Sequence, residues 1–157
     1  MAHILNIQRS SSWIKLSSAI AFLAIVIVLW FFLIDYILIW AVSTGNTNTV
    51  SKVLAFGADP NTYRATRSEA MVNAAYNGNV SVLQILLEHG GNPNGFVEGG
   101  YSVLSAAIER RHTNAVKLLL TKGANPCVGD GSGQTAIQLS DGYAPIIRLL
   151  QDKGCTK

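Results

Sequence analysis

Three histidines, two cysteines and nine carboxylates are the residues of this 157-residue chain able to hold a metal, attack a substrate or relay a proton. The histidines do not converge: His3, His89 and His112 lie in three separate segments, none at a metal-ligand spacing from a cysteine or an acid. His89 precedes a glycine that fits a helix end, where its side chain suits the last carbonyls. The glycine-rich stretch 129–135, GDGSGQT, lacks the lysine of a phosphate-cradling loop and reads as a surface loop. No Gly-x-Ser-x-Gly elbow, paired-acid cleft or Cys/His pairing emerges. Cys127 and Cys155 leave two readings open, free thiols or a bridge; a bridge needs Cα atoms within about 7 Å and an oxidising compartment. The expectation is a non-enzymatic protein with no catalytic residues, cofactor, metal or small-molecule substrate.

The elements that must position these residues belong to an unusually apolar chain. Hydrophobic residues make up 49% and charged residues 13%, against about a quarter charged in a typical soluble domain. Residues 16–34, LSSAIAFLAIVIVLWFFLI, have two serines as their only polar members. Nineteen residues of helix rise about 28 Å, close to the roughly 30 Å hydrocarbon core of a bilayer. Trp13 precedes the run, and Trp30, Tyr36 and Trp40 close or follow it, as interfacial anchors do. A cleaved signal peptide is the rival reading. Against it, the run exceeds the roughly 7–15 residues of a signal h-region, and the nearest small-residue site, Ala41-Val42-Ser43, is weak. An uncleaved single-pass helix at 16–34, after a short cytosolic tail at 1–15, is expected.

Charge then sets orientation. Arg9 and Lys15 flank the N-terminal side with no acid, and no Lys or Arg follows the run before Lys52. The positive-inside bias places the N-terminus in the cytosol and residues 35–157 outside it, in a periplasmic or equivalent space at the cell (inner) membrane. Residues 35–157 carry 10 basic and 9 acidic residues with no basic run, so nucleic acid is excluded as a partner.

Beyond the apolar run the chain repeats itself. Asp59-Pro60-Asn61, Asn92-Pro93-Asn94 and Asn125-Pro126-Cys127 are 33 residues apart; Gly57, Gly90 and Gly123 keep that period, and Gly154 follows 31 later. Twelve residues ahead of these glycines stand Gly45, Gly78, Arg111 and Gly142. Between the markers run i, i+3 apolar pairs of helical period: Val50 and Val53, Leu83 and Leu86, Val116 and Leu119, Ile147 and Leu150.

This pattern resembles the ankyrin-repeat family, two antiparallel helices and a β-turn finger every 33 residues. The resemblance covers 36–155 as four repeats, 36–61, 62–94, 95–127 and 128–155, and implies an all-α solenoid. The second copy carries it best, with EAMVNAAYNGN at 69–79 and VSVLQILLEHGGNPN at 80–94. Small residues Ala41, Ala74 and Ala107 would let the first helices lie close together, with Leu-rich second helices behind. The family's Thr-Pro-Leu-His signature is nowhere intact: its Pro and His places hold Ile37 and Ile39, Ala70 and Val72, Val103 and Ser105, Ala136 and Gln138. The histidine's hydrogen bond is therefore expected to be missing and the array less stable than an idealised one. Arg111 stands where its counterparts are glycine, so either its turn is strained or it differs. The last repeat is two residues short, at 135–141, with Pro145 fit to be the first residue of its second helix. The first repeat's inner helix, 36–43, follows the membrane run across Asp35 alone, so the solenoid is expected to start directly at the membrane.

The family generally binds proteins through finger tips and the concave side of its first helices. Carried over, the fingers are 62–68, 96–100 and 128–133, and the candidate partner-binding residues are Tyr63, Arg64, Arg67, Asn73, Tyr76, Asn77, Phe96, Glu98, Tyr101, Glu109 and Arg110. Several are the aromatic and arginine types that dominate interface energy, although Tyr101 also suits packing at its finger's base. The expected function is a membrane-tethered protein-binding module, an adaptor or an inhibitor of immunity type. The alternative is an accessory subunit of a membrane complex, its main contacts made by the transmembrane helix and its repeats structural.

Overall fold

The computed structural model describes the backbone of residues 2–61 and 69–156, with side chains from residue 19 onward in those ranges except Phe31. The helices are α1 (Ala2–Ser43), α2 (Thr47–Ala55), α3 (Glu69–Tyr76), α4 (Val80–Glu88), α5 (Val103–Glu109), α6 (Thr113–Thr121), α7 (Ala136–Leu139) and α8 (Ala144–Asp152). A 3-10 turn spans Glu98–Gly100, and an isolated antiparallel bridge pairs Phe96 with Ser102. Among the described residues no strand forms, and the fold is all-α.

The chain divides into two units, Met1–Leu33 and Ile34–Lys157. In the first, the described side chains of α1 are apolar and exposed, among them Ile20, Phe22, Leu23 and Leu29. The apolar stretch Ala19–Ser43 contains 18 consecutive residues with a mean hydropathy of 2.8, of which 12% are buried. It is long and apolar enough to cross a membrane.

In the second unit Ile34, Leu38, Ala41 and Val42 are buried at helical spacing, whereas Tyr36 and Trp40 are exposed. The helix expected at 36–43 is the last part of α1, which runs on through Asp35, because no Gly or Pro interrupts residues 16–43. Inner helices α3, α5 and α7 stack in order, as do outer helices α2, α4, α6 and α8, and each inner helix packs on the outer helix that follows it. Ala41, Ala74 and Ala107, on α1, α3 and α5, are fully buried and let those backbones approach. The outer stripe is Val50 and Val53, Leu83 and Leu86, Val116 and Leu119. In α8 the expectation is corrected: Ile146 joins Leu150 in the core while Ile147 is only half-buried. Pairs at i, i+3 and i, i+4 both share a helix face, and packing against α6 selects the latter.

The outer helices end alike. Gly57, Gly90, Gly123 and Gly154 are left-handed. The next residue's N–H reaches back into the helix: Ala58 to Val53 O (3.2 Å), Gly91 to Leu86 O (2.9 Å), Ala124 to Leu119 O (2.9 Å) and Cys155 to Leu150 O (3.0 Å). At the inner turns, Arg111 is left-handed like Gly45 and Gly78, with φ 57°, and donates to Ile108 O at 2.8 Å. The turn is conserved in geometry, and the side chain bears the strain. That conformation costs a non-glycine residue about 1 kcal/mol or more. The exposed Arg111–Asp141 ion pair at 3.4 Å is worth at most about 1 kcal/mol. Arg111→Gly is therefore expected to stabilise the fold by about 0.5 kcal/mol, read as the urea midpoint in detergent; a lower midpoint would mean that the arginine's contacts outweigh its strain.

The shortened fourth repeat keeps two helices. Its four-residue α7 carries a capping box in which Thr135 and Gln138 bond each other's backbone N–H. Pro145 lies one place further in than expected, second in α8 after Ala144, still within the first turn where its missing donor is harmless.

Candidate interaction surface

The third residue of each Asp/Asn-Pro-x triplet governs how one repeat holds the next. Asn61 donates from Nδ2 to Gly90 O at 2.9 Å and accepts at Oδ1 from Asn92 N–H at 2.7 Å. Asn94 repeats this one period later, donating to Gly123 O at 3.0 Å and accepting from Asn125 N–H at 2.7 Å. The triplets fold as tight turns because the first side chain accepts from the third N–H, as Asp59 from Asn61, Asn92 from Asn94 and Asn125 from Cys127. At the third place of the last triplet, Cys127 is disulfide-bonded to Cys155, with Cα atoms 5.3 Å apart, so the bridged reading holds.

A second tether lies inside the stack. Ser105, at the family's histidine place, donates from Oγ to Gly129 O at 3.0 Å and is 2.7 Å from Ser102 Oγ. The place lacks its histidine, but its hydroxyl still makes a hydrogen bond to the next repeat. The 129–135 stretch closes on itself: Asp130 Oδ1 accepts from Ser132 N–H (3.0 Å), Ser132 Oγ (2.6 Å) and Gln134 N–H (3.1 Å). These bonds, that of the Ser132 side chain foremost, lower the Asp130 pKa. The fingers meet where Gly131 lies on Gly99 and Gly100; a Cβ at Gly131 would fall 1.2 Å from Gly99 O.

On the inner-helix face the structure gathers four of the candidates. Arg110 Cζ lies 4.7 Å from the centroid of the Tyr76 ring, joining α5 to α3. Tyr101 donates its hydroxyl to Glu109, which precedes Arg110. Tyr76 is 39% exposed and Phe96 49%; Asn77, Glu98, Glu109 and Arg110 are exposed, and Asn73 and Tyr101 half-buried. Phe96 stands at the base of its finger through the bridge to Ser102, and Glu98 opens the 3-10 turn. Tyr63, Arg64 and Arg67 lie outside the described residues.

Sequence reading missed the continuation of this face into the fourth repeat. Arg111 reaches Asp141 and lies 5.5 Å over the Tyr143 ring, so adjacent arginines point to opposite neighbours. The Arg110-Arg111 doublet at an inner turn was the available signal. His112 also tethers repeats, its Nε2 lying 3.0 Å from Tyr76 O.

Burial, and then the Glu109 carboxylate that accepts its hydrogen bond, push the Tyr101 hydroxyl well above its ordinary 10.0. A folded-state pKa above the unfolded one gives stability that is complete below pH 10 and lost as pH rises toward the folded value. Tyr101→Phe should therefore flatten the fall in Tm between pH 9.5 and 11.5 relative to the parent; parallel Tm profiles would refute the coupling. Among the described residues no three His, Cys, Asp or Glu side chains are grouped to hold a metal.

The pattern of ankyrin repeats, in three copies, matches residues 38–130. No curated protein matches the chain. The match ends within the last finger, 128–133, and α7 and α8 carry the helix-pair geometry beyond it.

Proposed function

From the premise that the chain belongs to the ankyrin-repeat family, whose repeats are protein–protein interaction modules, we propose that it is a membrane-tethered binder displaying its repeats outside the cytosol. The observation that carries the binding surface is the cross-repeat group of Tyr76, Tyr101, Glu109 and Arg110, with Phe96 exposed at the base of its finger. It combines exposed aromatic area with an arginine already held in place, so little side-chain entropy remains to be lost on docking. The tether is the apolar stretch of α1. Arg9 and Lys15 ahead of it support the orientation, as does a disulfide in the repeats, a bond that persists in oxidising compartments. Such a module acts as an adaptor or an inhibitor of immunity type by occupying a partner's surface.

Two measurements test this separately. Full-length protein in detergent, mixed with extract of its own host, should recover a partner that a Tyr76→Ala, Phe96→Ala, Arg67→Ala triple variant recovers at least about tenfold less; equal recovery would remove the surface assignment. Alkaline phosphatase fused after Lys157 should be active. An inactive fusion, alongside a working cytosol-dependent reporter at the same site, would reverse the topology.

A further inference from the structure

At the first two complete repeat junctions an asparagine makes the rung: Asn61 holds Gly90 and Asn92, and Asn94 holds Gly123 and Asn125. In each case the residue between the two partners is small and buried, Gly91 or Ala124, and its N–H closes the outer-helix end. Cys155 has the same place at the end of α8: it follows left-handed Gly154, its N–H reaches Leu150 O, and it is fully buried. Cys127 has the place of Asn61 and Asn94. The last junction therefore has no asparagine to make two hydrogen bonds, and a covalent bond joins the corresponding positions.

We propose that the Cys127–Cys155 disulfide is a redox-operated rung: oxidised, it clamps the fourth repeat onto the third; reduced, it releases the end of α8 and loosens the C-terminal part of the binding module. The inference does not depend on which side of a membrane the repeats occupy. Two features make the release local. The fourth repeat holds the shortest of the described α-helices, the four-residue α7. Among the described residues its other ties include the Ser105–Gly129 bond, the contact of Gly131 with Gly99 and Gly100, the exposed Arg111–Asp141 pair with the Arg111–Tyr143 contact, and the apolar packing of Ala136, Ile146 and Leu150. A thiol in place of a disulfide sulfur cannot imitate the asparagine, because it is a weak donor and a weak acceptor.

The exchange has a direction. Cys127 is exposed and Cys155 buried, so the thiolate of a dithiol reductant reaches the Cys127 sulfur. An S–S bond forms there, and Cys155 leaves as a thiolate and takes a proton. The reductant's second thiol, as its thiolate, then displaces Cys127, which is protonated in turn. The dithiol has become a disulfide, and two electrons and two protons have passed to the protein.

Hydrogen exchange on the full chain in detergent, with dithiothreitol as the dithiol, tests the rung. In the parent, reduction should raise exchange across 144–155 by on the order of 100-fold, the loop-closure advantage of a bond spanning a separation of 28 residues, while α3 to α6 stay unchanged. Cys127→Asn with Cys155→Ala rebuilds the asparagine rung over an alanine like Ala124; its α8 should be protected equally with and without reductant. Cys127→Ser with Cys155→Ala should exchange as fast as the reduced parent in both conditions. Equal protection of the reduced and oxidised parent would overturn the proposal. So would an asparagine variant no better protected than the serine one, or two thiols alkylated by iodoacetamide in unreduced native protein.

Discussion

Replacing Leu38 with aspartate should cost at least about 3–5 kcal/mol and detach the first repeat from the stack. Leu38 is fully buried, on the same stripe as Ile34, Ala41 and Val42. A carboxylate there has lost water, and the buried residues around it are apolar. It must either take up a proton or open the packing, and both outcomes draw on the folding free energy. Its neighbours Ile37 and Trp40 are less covered. Ile37 is half-buried against the core, but Trp40 is 55% exposed. Trp40→Asp should therefore leave the urea midpoint within about 0.5 kcal/mol of the parent. Circular dichroism of the full chain in detergent, through a urea titration, separates the two. Equal midpoints for Leu38→Asp and the parent would show that the first repeat is not packed as described. A large loss in Trp40→Asp would return the indole to the core.

Leu86→Ala should destabilise the repeats by about 2–5 kcal/mol, the usual cost of emptying a fully buried leucine site. Leu86 is buried in α4, which packs against α2, α3 and α6. Because a repeat array is held by nearest-neighbour interfaces, the loss falls at the centre and uncouples the two ends. Against a total stability of about 5–15 kcal/mol for a domain, that is enough to split one urea transition into two. Leu87→Ala, at a half-buried site, should cost less than about 1.5 kcal/mol. A single unshifted transition in Leu86→Ala would contradict the packing.

The period of 33, the outer-helix glycines and the stripes of α2, α4 and α6 were all legible before any coordinates, as was the shortening of the last repeat. These signals are local. A left-handed stop needs glycine within its own turn, and an amphipathic helix declares its buried face within two turns. The candidate surface was legible only as a roster. Residue type suggested Tyr76, Tyr101, Glu109 and Arg110, but not that Arg110 would stack on Tyr76 or that Tyr101 would bond Glu109.

By itself, the sequence determined the family, the all-α class and the apolar stretch long enough to span a membrane, because each is written in short-range periodicity and composition. Tertiary structure decided the rest. It carried α1 through Asp35, chose Ile146 over Ile147, let Ser105 act where a histidine is usual, and joined Cys127 to Cys155. The reason is stacking: each repeat lays its turn against that of the next. Two cysteines 28 residues apart along the chain meet because one stands in the asparagine place of its turn and the other in the buried small-residue place of the turn that packs on it.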